Sequence, residues 1–161
     1  MRRIISVLLE NESGALSRVI GLFAQRGYNI ETLTVAPTDD DTLSRLTLTT
    51  IASDEQSEQI IKQLNKLIEV VRLVDLTDGE YVERELMLIK VKVTGSQRAE
   101  IKRTSDIFRG QIVDVSAANY TIQLTGTSGK LDAFVNAISE FTVTEVVRSG
   151  VSGLSRGEKA L

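Results

Sequence analysis

The hydropathy pattern of this 161-residue chain runs through six elements and then runs through the same six again. Ile4-Ile5-Ser6-Val7-Leu8-Leu9 is a nearly continuous apolar run, the pattern of a central strand covered on both faces. Leu16, Val19, Ile20 and Phe23 follow at helical spacing, and Gly27 closes that helix with Arg26 in its last turn. Ile30 to Ala36 and Leu43 to Ile51 alternate as strands around a turn marked by Pro37 and three aspartates. A second helical stripe (Ile60, Leu64, Leu67, Ile68) and a strand at Val70–Val74 complete the unit as βαββαβ.

The second half repeats the order. Met87, Ile89, Val91 and Val93 form a period-2 face, and a weaker helix carries Ile101 and Phe108. Strands near Ile112–Val115 and Tyr120–Leu124 follow, then a helix with Leu131, Phe134, Val135 and Ile138, then a strand near Val143–Val147. Arg26-Gly27 and Arg109-Gly110 lie 83 positions apart (109 − 26), and that spacing also aligns Ile4 with Met87 and Val7 with Lys90. A repeat of this length signals two copies of one domain. The expected architecture is α+β: two ferredoxin-like βαββαβ domains in tandem, residues 1–77 and 82–161, each an antiparallel sheet with both helices on one face. Asp78-Gly79-Glu80 is the joint. Each copy has only about 75 residues, a size at which one core is marginal. The helix-free face of an apolar central strand also needs cover, and a homodimer or larger assembly would provide it.

Composition excludes more than it suggests. There is no Cys and no His, which removes disulfides, thiolate nucleophiles, the Ser-His-Asp triad and nearly every zinc site. Nineteen Lys and Arg against 22 Asp and Glu give a net charge of −3, and the aromatic fraction is 4%. No strong positive field or stacking surface is available, so neither nucleic acid nor an anionic membrane is the expected partner. Met1-Arg2-Arg3 leads straight into strand pattern, and no window approaches 18 apolar residues. These features point to a cytoplasmic protein that binds rather than catalyses.

The first strand–helix junction, Leu9-Glu10-Asn11-Glu12-Ser13-Gly14-Ala15-Leu16, is the most informative stretch. Asn11 or Ser13 can cap the helix, and Gly14 removes a side chain where the backbone turns into it. A helix start without bulk offers amide N–H groups and a positive dipole end to a carboxylate. An Asn side chain beside it can accept from an ammonium, and Leu and Ala side chains remain for an apolar tail. Taken locally, the same residues read first as a plain capped turn. Arg26-Gly27-Tyr28-Asn29 lacks the second aromatic of an RNA-recognition motif. Gly126-Thr127-Ser128-Gly129-Lys130 lacks the first Gly and the final Ser/Thr of a phosphate loop, and reads as a turn opening a helix with Ser128 as cap. Asp39-Asp40-Asp41 reads as a solvated hairpin loop rather than a cation site, and the Gly- and Ser-containing stretch 150–161 as a flexible or partner-ordered tail.

Asn11-x-x-Gly14-Ala15-Leu16-Ser17-Arg18-Val19-x-x-Leu22-Phe23-x-x-Arg26-Gly27-Tyr28-Asn29-Ile30 resembles an ACT domain, the amino-acid-sensing module, and more closely the small regulatory subunits of acetolactate synthase. The resemblance continues through Leu33–Pro37, Glu83-Arg84-Glu85, Phe108-Arg109-Gly110, Gly126–Lys130 and Arg148-Ser149-Gly150, so that the second repeat is an ACT-like domain. It implies a chain without an active site that binds and activates a separate catalytic large subunit. That subunit would carry thiamine diphosphate, Mg²⁺ and FAD and condense pyruvate in branched-chain amino-acid synthesis. It also implies feedback inhibition by valine (in some members leucine or isoleucine) bound between two ACT domains. Asn11, Gly14, Ala15 and Leu16 of one chain would hold the carboxylate and ammonium, and Asn29 and Ile30 of the neighbour would close the site. Leu9 and Ala36 would lie near the side chain. A stand-alone amino-acid sensor acting on another enzyme or a transcription factor is the alternative.

Overall fold

A computed structural model describes all 161 residues. The elements are β1 (Arg2–Glu10), α1 (Ala15–Gln25), β2 (Thr32–Pro37), β3 (Leu43–Ile51), α2 (Asp54–Asn65) and β4 (Val70–Asp75). After a 3-10 turn at Leu76–Asp78 come β5 (Tyr81–Lys92), α3 (Gln97–Ile107), β6 (Gln111–Val115), β7 (Asn119–Gly126), α4 (Ser128–Ala137), β8 (Thr142–Arg148) and β9 (Ser152–Ser155). The first sheet has the order β2-β3-β1-β4 and the second β6-β7-β5-β8, with every ladder between these strands antiparallel. Both are mixed α+β units of the expected topology.

The chain divides into two compact units, Met1–Glu83 with Gly150–Leu161, and Arg84–Ser149. The last twelve residues therefore pack with the first repeat, whereas the sequence pattern assigns them to the second. Far from a loose tail, residues 152–155 form β9, which pairs with β5. Val151 is fully buried against Ile4 and Leu76. Gly150 holds φ +86°, and a Cβ there would meet Thr34 Oγ1 at 2.9 Å. Four residues of Gly, Ser and Leu show no period, which is why the pattern misses this strand. The helix-free face beneath Ile4 is thus covered within the chain, so burial of Ile4 alone does not demand a second copy.

In the first unit Ile5, Val7, Leu9, Leu46 and Leu48 face α1 and α2, where they meet Val19, Phe23, Ile60 and Leu64. The buried stripe of α1 is Ala15, Val19 and Phe23; Ile20, expected in it, is 39% exposed. A capping box starts α2: Ser53 Oγ accepts from Gln56 N–H at 3.1 Å and Gln56 Oε1 from Ser53 N–H at 3.0 Å. In the second unit Met87, Ile89, Val91 and Val93 pack on Ile101, Leu131, Phe134 and Ile138. Thr127 caps α4, accepting from Lys130 N–H at 3.2 Å, whereas Ser128, the expected cap, is its first residue.

The strand ladders align the two repeats at a spacing of 82 rather than 83. The ladder of β1 with β4 shifts register after Leu8, and that of β5 with β8 after Lys90 (90 − 8). At the end of α1, Gly27 holds φ +70° and Tyr28 N–H donates to Phe23 O at 3.0 Å; at the end of α3, Arg109 holds φ +60° and Gly110 N–H donates to Ser105 O at 2.7 Å. The left-handed position is therefore Gly27 in one copy and Arg109 in the other. Gly110 serves a different need: its Cβ would press on Gln123 O at 3.2 Å and Ile122 Cγ2 at 3.3 Å. The repeated Arg-Gly pair matched letters, not geometry. A left-handed non-glycine residue costs about 1–2 kcal/mol. Arg109→Gly is expected to stabilise the protein by about 0.5–1 kcal/mol after the extra chain entropy of glycine is subtracted, read as a higher urea midpoint at unchanged slope.

The correct register exposes a charge inversion. Ile5 faces Asp75 and Met87 faces Arg148 across equivalent ladders, and Arg3 and Glu85 lie two residues earlier on the same strand faces. Arg3 Nη1 donates to Asp75 Oδ2 at 3.4 Å, and Asp75 also accepts from Ser57 Oγ at 2.9 Å. Asp54 and Asp78 complete the pairing of Arg3. In the second copy Arg148 binds Glu85 through two bonds of 3.1 Å, and Ser128 Oγ donates to Glu85 at 3.3 Å. The same position carries cation on the central strand in one repeat and anion in the other.

Candidate amino-acid site at the start of the first helix

Where β1 ends, Asn11 N–H donates to Thr42 O at 2.8 Å and Asn11 Nδ2 to Asp41 O at 2.9 Å. The Asn11 side chain anchors the β2–β3 hairpin through its N–H, and its oxygen keeps its capacity as an acceptor. Neither Asn11 nor Ser13 caps α1. Its N-cap is Gly14 at φ +90°, with no side-chain bond to the helix end. Only glycine adopts that conformation without strain, and the result is a helix start whose positive end is screened by no side chain.

A groove of about 240 Å³ lies beside this helix start, lined by Leu9, Asn11, Ala15, Leu16, Val35 and Ala36 together with Glu10, Glu12, Pro37 and Ser44. Five of the eight residues singled out in the sequence line it: Leu9, Asn11, Ala15, Leu16 and Ala36. Gly14 shapes the turn without lining the groove. Asn29 and Ile30 are elsewhere in the same chain: Asn29 is exposed, donates to Glu31 Oε1 at 3.0 Å and accepts at its backbone from Thr50 Oγ1 at 2.6 Å, while Ile30 packs on the core. The sequence did not reveal Val35, Pro37 or Ser44 as lining, because long-range pairing of β2 with β3 brings them there. Glu10 and Glu12, exposed at the mouth, add negative charge beside Asn11.

The groove is polar at the helix start and apolar along Leu9, Leu16, Val35 and Ala36, the division a zwitterion with an aliphatic side chain requires. Its volume is below the roughly 300–1,000 Å³ that holds a drug-sized ligand. Val35, Ala36 and Pro37, which line it, belong to β2, an edge strand with one unpaired side. The three-aspartate loop has a local role: Asp40 accepts from Thr42 N–H at 3.0 Å and Thr42 Oγ1 at 2.6 Å, which holds its carboxyl below the ordinary value.

The second repeat does not reproduce this chemistry. At the spacing of 82, Val93 stands for Asn11 and is fully buried. Gln97 Oε1 folds back to accept from Thr94 N–H at 3.2 Å at the start of α3. Lys130 lies against Gly126, where an added Cβ would sit 2.6 Å from its Cδ, and donates to Thr125 O at 3.4 Å, so the Gly126–Lys130 turn is closed on itself.

Residues 5–72 match the family model described as an AHAS small subunit-like ACT domain. Residues 84–157 match that of the small subunit of acetolactate synthase. The chain belongs to the acetolactate synthase small-subunit family. It is 62% identical over 162 aligned positions to the acetolactate synthase isozyme 3 small subunit of Escherichia coli strain K12, covering 100% of this chain and 99% of that one. It is 61% identical to the acetolactate synthase small subunit of Haemophilus influenzae, covering 99% and 98%. The crystal structure of the acetolactate synthase small subunit from Thermotoga maritima superposes with a TM-score of 0.88 at 37% identity, over 99% of both chains. This small-subunit chain has no helix long and apolar enough to cross a membrane.

Proposed function

We propose that this acetolactate synthase small subunit is a non-catalytic cytoplasmic regulator that activates the catalytic large subunit and makes it sensitive to valine. The groove beside the uncapped start of α1 carries the reading. Amide N–H groups of the first turn of α1 beyond Ala15, whose own N–H donates to Glu12 O at 3.3 Å, receive the valine carboxylate, the side-chain oxygen of Asn11 accepts from its ammonium, and Leu9, Leu16 and Ala36 receive the isopropyl group. The groove is lined by the edge strand β2, and a second copy placed there supplies Asn29, which is exposed, and Ile30 to close it. The working unit is thus a homodimer or a larger assembly. Thiamine diphosphate, Mg²⁺ and FAD belong to the catalytic partner, and the residues described here serve to bind and to relay.

Valine acts by favouring one arrangement of the regulatory dimer while the catalytic subunit favours another. A coupling of about 1–3 kcal/mol gives roughly 5- to 150-fold control. Calorimetric titration of the purified subunit with valine, leucine and isoleucine tests the site. Saturable binding of valine is expected, weakened at least about tenfold in Asn11→Ala, equivalent to the loss of about one charge-assisted hydrogen bond. Unchanged valine affinity in that variant would show that Asn11 is no ligand.

A further inference from the structure

The helix-free face of the first sheet holds a second, larger cavity. The chain after β9, with Gly157 at φ +74°, and β4 line this open cleft of about 750 Å³, which reaches round to Asn65 at the end of α2. Arg45 of β3, Arg72 of β4 and Lys159 line it, with Val71, Val74 and Leu154 as apolar wall; no Asp or Glu side chain lines it, and the α-carboxylate of Leu161 is the anionic group beside it. Arg2, Arg3, Arg18 and Arg148 all sit in ion pairs, whereas Arg45, Arg72 and Lys159 sit in none. Arg45 Nη2 donates to Gly153 O at 3.0 Å, a neutral partner. Burial without a compensating anion pulls its guanidinium below the ordinary value. Adjacent residues of a strand point to opposite faces, so Ser44 lines the amino-acid groove while Arg45 lines this cavity.

We propose that the cavity beneath the C-terminal segment binds a small multivalent oxyanion, held by Arg45 and Arg72 with Lys159 at the rim. Guanidinium forks match carboxylate and phosphate oxygens in pairs, and Val71, Val74 and Leu154 accommodate an apolar portion of an organic anion. The cavity volume falls in the range of small-molecule sites. The bound anion bridges β3 and β4 to the C-terminal segment and supplies the counter-charge that half-buried Arg45 lacks.

Titration calorimetry of the intact subunit at low ionic strength, with inorganic pyrophosphate in one arm and citrate in the other, tests this directly. One saturable site per chain is expected for at least one probe, weakening as NaCl is raised. Response to pyrophosphate alone assigns phosphate chemistry, and response to citrate alone assigns carboxylate chemistry. Arg45→Gln and Arg72→Gln are each expected to weaken binding at least tenfold, and Lys62→Gln, an exposed side chain of α2, to leave it unchanged. Arg72 is exposed, so its variant reports even if Arg45→Gln folds poorly. Absence of saturable heat with both probes, or binding that survives Arg72→Gln unchanged, overturns the proposal. Valine titration follows a different groove and separates this outcome from the reading above.

Discussion

Gly14→Asp is expected to abolish inhibition of the holoenzyme by valine while leaving activation intact, with valine affinity falling about a hundredfold. The substitution has two components that can be separated. Residue 14 holds φ +90°, a conformation that strains any L side chain, yet a Cβ there meets nothing within 4 Å. Strain is therefore the whole structural cost, and aspartate and asparagine, which visit the left-handed region more readily than other residues, share it. The electrostatic component belongs to aspartate alone. A fixed negative charge ~5 Å from the valine carboxylate costs about 3 kcal/mol at an effective dielectric of about 20, or about two orders of magnitude in affinity. Gly14→Asn should accordingly keep valine binding within about tenfold of the parent. Calorimetry on both variants, beside inhibition of the reconstituted holoenzyme, decides the matter. Equal loss in the Gly14→Asp and Gly14→Asn variants would mean that backbone geometry, not charge, governs the effect.

The largest effect on stability is expected in the second repeat. The Glu85 side chain is 2% exposed and takes two bonds from Arg148, which also donates to Asp132 at 2.6 Å. Arg148→Met leaves a buried carboxylate with only the Ser128 hydroxyl; removal of one partner of a fully buried pair costs about 3–5 kcal/mol, and because the Arg148 side chain is 30% exposed the loss expected here is about 2–3 kcal/mol. Adding Glu85→Leu removes the stranded charge, and the double variant is expected to recover to within about 1 kcal/mol of the parent, since well-packed apolar replacements of buried pairs are often neutral. Denaturant unfolding of the two single variants and the double variant measures the coupling. Additive losses would show that Glu85 and Arg148 act independently.

The order of elements was legible because two periods, 3.6 and 2, alternate cleanly through Ile5, Val7 and Leu9, then Val19 and Phe23, then Leu46 and Leu48. Register was legible only to within one residue. The repeated Arg-Gly pair points to a spacing of 83, while the backbone places Gly27 and Arg109 in the same left-handed position. That slip hides the equivalence of Arg3 with Glu85 and so the inverted ion pair. In the site, Asn11, Ala15 and Leu16 were readable because they belong to one contiguous turn. Val35 and Ser44 reach the groove through pairing across β2 and β3, which no local window contains. The apolar pattern of β1 did indicate cover on both faces, but not that Val151, 147 positions beyond Ile4 (151 − 4), would supply part of it.

The most direct test of the central claim is a crystal structure of this subunit grown with valine. The expected result is one valine at the start of each first helix, its carboxylate on the backbone amides after Gly14 and its ammonium on Asn11, with Asn29 of a second copy across it. Valine seated away from that helix start, or held without any contribution from a second copy, would contradict the account.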